Sequence, residues 1–269
     1  MVNGEDANSG TGPLVAVGST VTWTYQVRSA GNVALANVRV IDDAGTPANA
    51  LDDFQPSAVS VATDNGTFNA GDDDRDNQLD TNETWRYTAN GLAVAGAYVN
   101  VATVTATGLT GTPYTDIDVA RYYGLDSTTA SIRIENAINA VDPTQPTVTE
   151  DADAAPGSTL QVGTPITWTY LLFNEAVHAI DVTSVRDDAG TAADAGDDFT
   201  LTAVLRDGLN IGDTDGDMLL DAGEVWRYTS SGAGAFTAAA GVNRSLATAT
   251  GSIGGVVSVR DEDPAHYFG

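Results

Sequence analysis

The sequence predicts an all-β chain made of two similar sandwich units, and three features predict it. Apolar and polar residues alternate in short runs, the second half repeats the first, and no long stripe of helical period interrupts them. Val21, Trp23, Tyr25 and Val27 alternate with Thr22, Thr24 and Gln26, which gives one apolar and one polar face. Trp85/Tyr87, Val99/Val101, Val104 within Thr103–Thr107, Ile132/Ile134 and Val257/Val259 show the same period. Thr and Val supply β-propensity, and Gly, Asn and Asp clusters punctuate the runs every dozen residues or so.

The repeat is explicit. Glu5-Asp6-Ala7-Asn8 matches Glu150-Asp151-Ala152-Asp153, an offset of 145 residues (150 − 5). Val21–Tyr25 matches Ile166–Tyr170, and Asp42–Thr46 matches Asp187–Thr191, at the same offset. The second copy then loses four residues, so that Trp85-Arg86-Tyr87-Thr88 matches Trp226-Arg227-Tyr228-Thr229. It regains them before Asp261-x-Asp263 and Tyr267-x-Gly269, the partners of Asp116-x-Asp118 and Tyr122-x-Gly124. The units are therefore expected at 1–124 and 125–269. Seven or so short strands in each argue for a β-sandwich of immunoglobulin-like type. Ala130–Glu135 reads as a strand opening the second unit, and the first has no counterpart. Either the chain is a piece cut from a longer array, or a neighbouring molecule supplies the strand by β-augmentation. Asn136–Ala155, rich in Asp, Thr and Pro, is expected to be a polar, extended linker.

Two acidic stretches carry the clearest chemistry. Asp72, Asp74, Asp76, Asp80 and Glu83 fall at positions 1, 3, 5, 9 and 12 of a twelve-residue loop. Asp213, Asp215, Asp217, Asp221 and Glu224 repeat that spacing with the same residue types. These are the oxygen-ligand positions of an EF-hand loop, with Gln78 and Leu219 at position 7 offering backbone carbonyls. Carboxylates packed this densely repel one another unless a cation lies between them. A flexible all-oxygen shell favours Ca²⁺ over Mg²⁺, which demands a tight octahedron. Position 6, usually Gly, is Asn77 in the first loop and Met218 in the second. Met tolerates positive φ poorly, so the second loop is expected to turn at Gly216 instead.

Composition narrows the classes. All 11 basic residues are Arg, against 37 acids, for a net charge of −26. Such a surface repels nucleic acid and anionic lipid and attracts cations. There is no cysteine, hence no disulfide, thiolate site or Cys nucleophile. No apolar run approaches the roughly 18 residues of a membrane span. Met1-Val2-Asn3-Gly4 has no signal-peptide character, so the chain is expected to be unexported or part of a longer one.

The chain resembles the immunoglobulin-like tandem repeats, conserved-repeat or prealbumin-like modules, of large bacterial and archaeal surface proteins and adhesins. The resemblance runs over both units. It is carried by Asn3–Asn8, Val21–Tyr25, Asn32–Val38, Gly212–Trp226 and the closing Asp261–Gly269. It implies an extracellular, calcium-stiffened module in an array, partnered by neighbouring repeats or identical subunits, with no enzymatic activity. The first unit departs from it at Val119-Ala120-Arg121-Tyr122, where the second has Pro264-Ala265-His266-Tyr267.

The other candidates have structural readings. Trp23, Trp85, Trp168 and Trp226 sit on alternating strands and are expected in the core. His178 and His266 do not match in the repeat and have no visible catalytic or metal partners. The acid pairs Asp42/Asp43, Asp187/Asp188, Asp52/Asp53 and Asp197/Asp198 recur in both units, which favours a structural role over glycosidase-like acid–base work. Asp116/Asp118 and Asp261/Asp263 place alternate carboxylates on one strand face, where a second class of Ca²⁺ at a module joint is one reading and a solvated strand end the other. The functional expectation is a calcium-stabilised spacer. Its rivals are a filament or sheath subunit using donated strands and an adhesive module for glycan, ice or protein, for which an exposed Thr22/Thr24 face is the feature to seek.

Overall fold

The computed structural model describes residues 1–269 and is almost entirely β. It divides into two compact units, Met1–Asp126 and Ser127–Gly269. The first contains β1 (Leu14–Ala16), β2 (Thr20–Val27), β3 (Leu35–Asp42), β4 (Ser57–Ala58), β5 (Ser60–Thr63), β6 (Gly66–Asn69), β7 (Trp85–Leu92), β8 (Gly96–Gly108) and β9 (Pro113–Leu125). After a short 3₁₀ turn at Ser127–Thr129, the second opens with β10 (Ile132–Ile138), β11 (Ser158–Thr159), β12 (Pro165–Ile166), β13 (Trp168–Asn174) and β14 (Asp181–Asp187). It continues through β15 (Phe199–Thr200), β16 (Thr202–Ala203), β17 (Leu205–Arg206), β18 (Leu209–Asn210), β19 (Val225–Thr229), β20 (Phe236–Thr237), β21 (Val242–Ile253) and β22 (Val257–Phe268).

Each unit is a sandwich of two main sheets. In the first, β1-β9-β8-β3 faces β2-β7-β4, with β1 running parallel to β9. The alternation of β2 decides which side is buried: Val21, Trp23 and Val27 point inward, and Gln26 outward. Val21 and Trp23 pack with Val15, Ala120 and Tyr122 of the opposite sheet. Val27, Trp85 and Tyr87 pack with Val40, flanked by Ala102 and Val104. The second unit repeats the plan with sheets β11-β22-β21-β14-β15 and β10-β13-β19-β16. Its extra strand is β10, paired antiparallel along β13 from Ile132↔Asn174 to Ile138↔Trp168.

A carboxylate stands inside each sandwich. Asp42 is wholly buried and accepts hydrogen bonds from Tyr25 Oη (2.5 Å), Asn100 Nδ2 (2.6 Å) and Ala44 N (2.9 Å). In the second unit Asp187 accepts from Tyr170 Oη (2.9 Å), Ser245 Oγ (2.8 Å) and Ala189 N (2.8 Å). Burial raises both carboxyls above the ordinary range, and these hydrogen bonds pull them part of the way back. Because Tyr25 and Tyr170 come from one sheet and the aspartates from the other, each network ties the two sheets together. Asp43 and Asp188 hold the following turn through Gly45 N and Gly190 N, and also bind Val101 N and Leu246 N. The acid pairs Asp42/Asp43 and Asp187/Asp188 are therefore engaged in structural hydrogen bonds.

One boundary needs correction. Asn136–Ile138 belongs to β10 rather than to a linker, and Asn136 is fully buried. Its Nδ2 donates to Ser245 Oγ at 2.8 Å, so this polar residue satisfies a core network.

Tyr170→Phe removes a hydrogen bond to a buried carboxylate and is expected to cost about 1.5–3 kcal/mol. Urea unfolding followed by tryptophan fluorescence measures that loss in the second unit.

Candidate metal centre

The two acidic loops leave β6 and β18 and run into β7 and β19. Asn69 and Asn210 fix their starts. The Oδ1 of each accepts from the amide two residues on (Gly71, 3.1 Å; Gly212, 3.2 Å) and from Arg86 N or Arg227 N, while Nδ2 donates to the Arg86 or Arg227 carbonyl. Gly71 and Gly212 follow because a Cβ there would lie 1.8 Å from the carbonyl oxygen of Thr84 or Val225.

Inside the loops the carboxylates converge. Ligand oxygens of Asp72, Asp74 and Asp76 lie within 4.8 Å of one another. The same holds for Asp213, Asp215 and Glu224, and for Asp215, Asp217 and Asp221. Asp72 Oδ1 accepts from Arg75 N at 2.7 Å and Oδ2 from Asn77 N at 3.1 Å; Asp213 does the same with Gly216 N and Met218 N at 2.7 and 3.2 Å. Asp76 and Asp217 accept from the position-7 amides of Gln78 and Leu219 (2.7 and 2.8 Å), and Asp74 and Asp215 from the amides two residues on. Glu83 Oε1 accepts from Asp73 N and Oε2 from Asp80 N; Glu224 accepts likewise from Thr214 N and Asp221 N. The side chains are thus curled inward by the loops' own backbone.

Electrostatics expose what those bonds leave unsettled. Partial desolvation, then repulsion from Asp74, Asp76, Glu83 and Asp72, raises the Asp80 carboxyl above its ordinary value; Asp217, Asp215, Glu224 and Asp213 do the same to Asp221. Burial alone would raise Glu224, but hydrogen bonds from Thr214, Asp221 and Trp226 bring it below the ordinary value. Glu224 is thereby held as an anion. The chain's ion pairs, Arg133–Glu135, Arg133–Glu175, Arg186–Asp198 and Arg260–Glu262, leave the loop carboxylates out. An all-oxygen, anionic, uncompensated donor set fits a hard metal ion.

Sequence reasoning missed three parts of the site. Position 8 is Leu79 or Leu220, each wholly buried and each bridged to the opposite sheet's lead-in: Leu79 exchanges both backbone hydrogen bonds with Leu35 (2.7 and 3.0 Å), and Leu220 with Ile180 (2.9 and 3.0 Å). Trp85 and Trp226 donate Nε1–H to the position-12 glutamates at 3.2 Å, and the Glu-x-Trp recurring in both units was the available signal. Met218 itself adopts positive φ (67°), alongside Gly216 (84°), so the second loop turns at both residues and not at Gly216 alone. The Met218 amide bond to Asp213 holds it there.

The remaining candidates fall elsewhere. Asp261 and Asp263 accept the outward-facing amides of Ile134 (2.9 Å) and Asn136 (2.6 Å), sealing the free edge of β10. Asp263 also gathers with Glu135 and Asp151 as a second carboxylate cluster. Burial first, then repulsion from Asp151, Glu135 and Asp153, pushes Asp263 up to about 7; burial and Glu135 push Asp151 up to about 7. Asp116 and Asp118, their counterparts in the first unit, are exposed. All four tryptophans are buried. Thr22 and Thr24 are half-buried, and the Thr22 hydroxyl is bonded to Asn90. His266 Nδ1 pairs with the Ala152 carbonyl at 2.9 Å. No helix is long and apolar enough to cross a membrane.

Neither a protein-family model nor a curated protein matches the chain. The acidic clusters could hold metal ions on the strength of their own geometry.

Met218→Gly removes a left-handed non-glycine residue and is expected to stabilise the second loop by about 1 kcal/mol. Chemical denaturation of the metal-loaded protein, compared with wild type, checks the gain.

Proposed function

We propose that this chain is a calcium-stabilised structural module, a spacer within an extracellular surface protein of the repeat type it resembles. The observation that carries the reading is the path of the two loops. Each is bridged through its buried position-8 leucine to the lead of β3 or β14 in one sheet. Four residues later its glutamate binds the tryptophan of β7 or β19 in the other. An ion held by Asp72, Asp74, Asp76, Asp80 and Glu83, with the Gln78 carbonyl, closes that crossing. Asp213, Asp215, Asp217, Asp221, Glu224 and the Leu219 carbonyl do the same in the second unit. Calcium suits the five-carboxylate, flexible donor set and has the role that a disulfide plays in cysteine-containing sandwiches. Long strands with cores secured at the loop resist extension, which is what a spacer needs. The chain carries no enzymatic activity on this reading, in which the acid pairs Asp42/Asp43 and Asp187/Asp188 serve backbone amides and inter-sheet bonds.

A thermal melt in chelator, in Mg²⁺ and in Ca²⁺ tests it. Calcium at about a hundred times its dissociation constant adds about 2.7 kcal/mol per site, a rise of roughly 10 °C for units of this size. Mg²⁺ gives little, and Asp72→Ala with Asp213→Ala abolishes the calcium effect. A melt unchanged by calcium overturns the reading.

A further inference from the structure

Three Asn-x-Ser/Thr triplets, the acceptor sequence for N-linked glycans, occur in the chain, and the fold leaves one of them open. They are Asn65-Gly66-Thr67, Asn82-Glu83-Thr84 and Asn243-Arg244-Ser245. Asn243 donates its Nδ2 to the Ala239 and Gly241 carbonyls at 3.0 and 2.9 Å, and Ser245 is buried against Asp187. Neither the amide nor the hydroxyl of that triplet is available. In the second, Glu83 is the buried position-12 residue of the acidic loop, tied to the Asp73 and Asp80 amides. Its Thr84 hydroxyl accepts from Arg28 Nε at 2.9 Å. Presenting that triplet to an enzyme would undo the loop.

Asn65-Gly66-Thr67 stands apart from both. β5 and β6 pair only with each other, and Asp64-Asn65 turns between them. All three residues of the triplet are exposed, and the side chains of Asn65 and Thr67 make no hydrogen bond. The turn is fixed without them. Thr63 Oγ1 donates to the Gly66 carbonyl at 3.1 Å and accepts from the Asn65 amide at 3.3 Å, while Gly66 takes a φ of 137°, open to glycine. The matching ribbon of the second unit is shorter. Its closing pair, Leu205 and Asn210, is 5 residues apart, against 9 for Ser60 and Asn69. The four residues that the second copy lacks are therefore the outer end of this ribbon. There Asp207-Gly208 makes the turn, and no acceptor triplet is present.

We propose that Asn65 is the attachment site of an N-linked oligosaccharide. This rests on the extracellular reading, since an exported chain meets the lipid-pyrophosphate-linked oligosaccharide that is the donor and the membrane transferase that uses it. In the transfer the sugar C1–O bond to pyrophosphate breaks and a C1–Nδ2 bond to Asn65 forms. The lipid pyrophosphate leaves with the electron pair, and one Nδ2 proton passes to base. The Thr67 hydroxyl is the element that the transferase recognises beside the amide. A bulky, hydrated glycan at the tip also guards a two-stranded ribbon with unpaired outer edges and an exposed Val61 against edge-to-edge association.

The test exports the full chain behind a cleavable secretion leader from eukaryotic cells, together with a control glycoprotein of known acceptor site. Because every basic residue is Arg, trypsin separates the triplets into the peptides Val40–Arg75, Asp76–Arg86 and Tyr228–Arg244. Enzymatic release of glycans in ¹⁸O water converts each glycan-bearing Asn to labelled Asp, which mass spectrometry reads. Label is expected at Asn65 in most molecules and at neither Asn82 nor Asn243. Asn65→Gln and Thr67→Ala are each expected to remove it and to leave the calcium melt unchanged. The protein recovered from its own cells is expected to carry the same pattern. An unmodified Asn65 beside a labelled control, or in the native protein, overturns the proposal, as does label at Asn82 or Asn243 equal to that at Asn65. The calcium melt of unglycosylated protein decides the spacer reading separately: no calcium effect with Asn65 labelled overturns that reading alone, and a calcium effect with Asn65 unlabelled overturns the glycan site alone.

Discussion

Each unit depends on one crossing, in which a twelve-residue acidic loop leaves the neighbourhood of one sheet and enters the other. The crossing is where the chain concentrates its charge: six carboxylates in the first loop and five in the second, with no arginine paired to them. Local amides absorb part of the repulsion, and the glutamate at position 12 is held anionic by four donors in the second loop. The remainder is what a bound cation would neutralise. In a chain without cysteine, the sheets have no disulfide tie, and an ion bound at this crossing would add to the hydrophobic core that joins them.

The buried aspartates act as a second, weaker tie of a different kind. A carboxylate in a sandwich core is costly unless its lone pairs are filled. Asp42 and Asp187 fill theirs from a tyrosine of the opposite sheet, a side chain on the neighbouring strand and a turn amide. The two units solve the same problem with different residues. Asn100 reaches Asp42 directly, whereas Ser245 stands in its place and is completed by Asn136 from β10.

Much of this was legible in the sequence. Two-residue alternation placed Val21, Trp23 and Val27 inward, and the repeat paired the loops ligand by ligand. What alternation does not carry is which polar residue is buried, because Asp42 and Asn136 look like any turn or linker residue until partners arrive from distant strands. Nor does propensity show that Met218 is held at positive φ by an amide bond to Asp213, since that bond belongs to the loop as a whole. The position-8 leucines were invisible for a similar reason. An isolated apolar residue in an acidic loop has meaning only once Leu35 or Ile180 lies opposite it. Asp261 and Asp263 were recognised as a one-faced pair, but their partners are amides of β10, more than a hundred residues earlier in the chain.

The central claim is that a bound ion closes the crossing between sheets, and amide hydrogen exchange at the bridge reads that directly. The account predicts that calcium at about a hundred times its dissociation constant slows exchange of Leu79, Leu35, Leu220 and Ile180 by up to about a hundredfold. Exchange that slows only within Asp72–Gln78 and Asp213–Leu219, leaving the bridge amides as they are in chelator, would contradict it. The loops would then bind an ion without holding the sheets together.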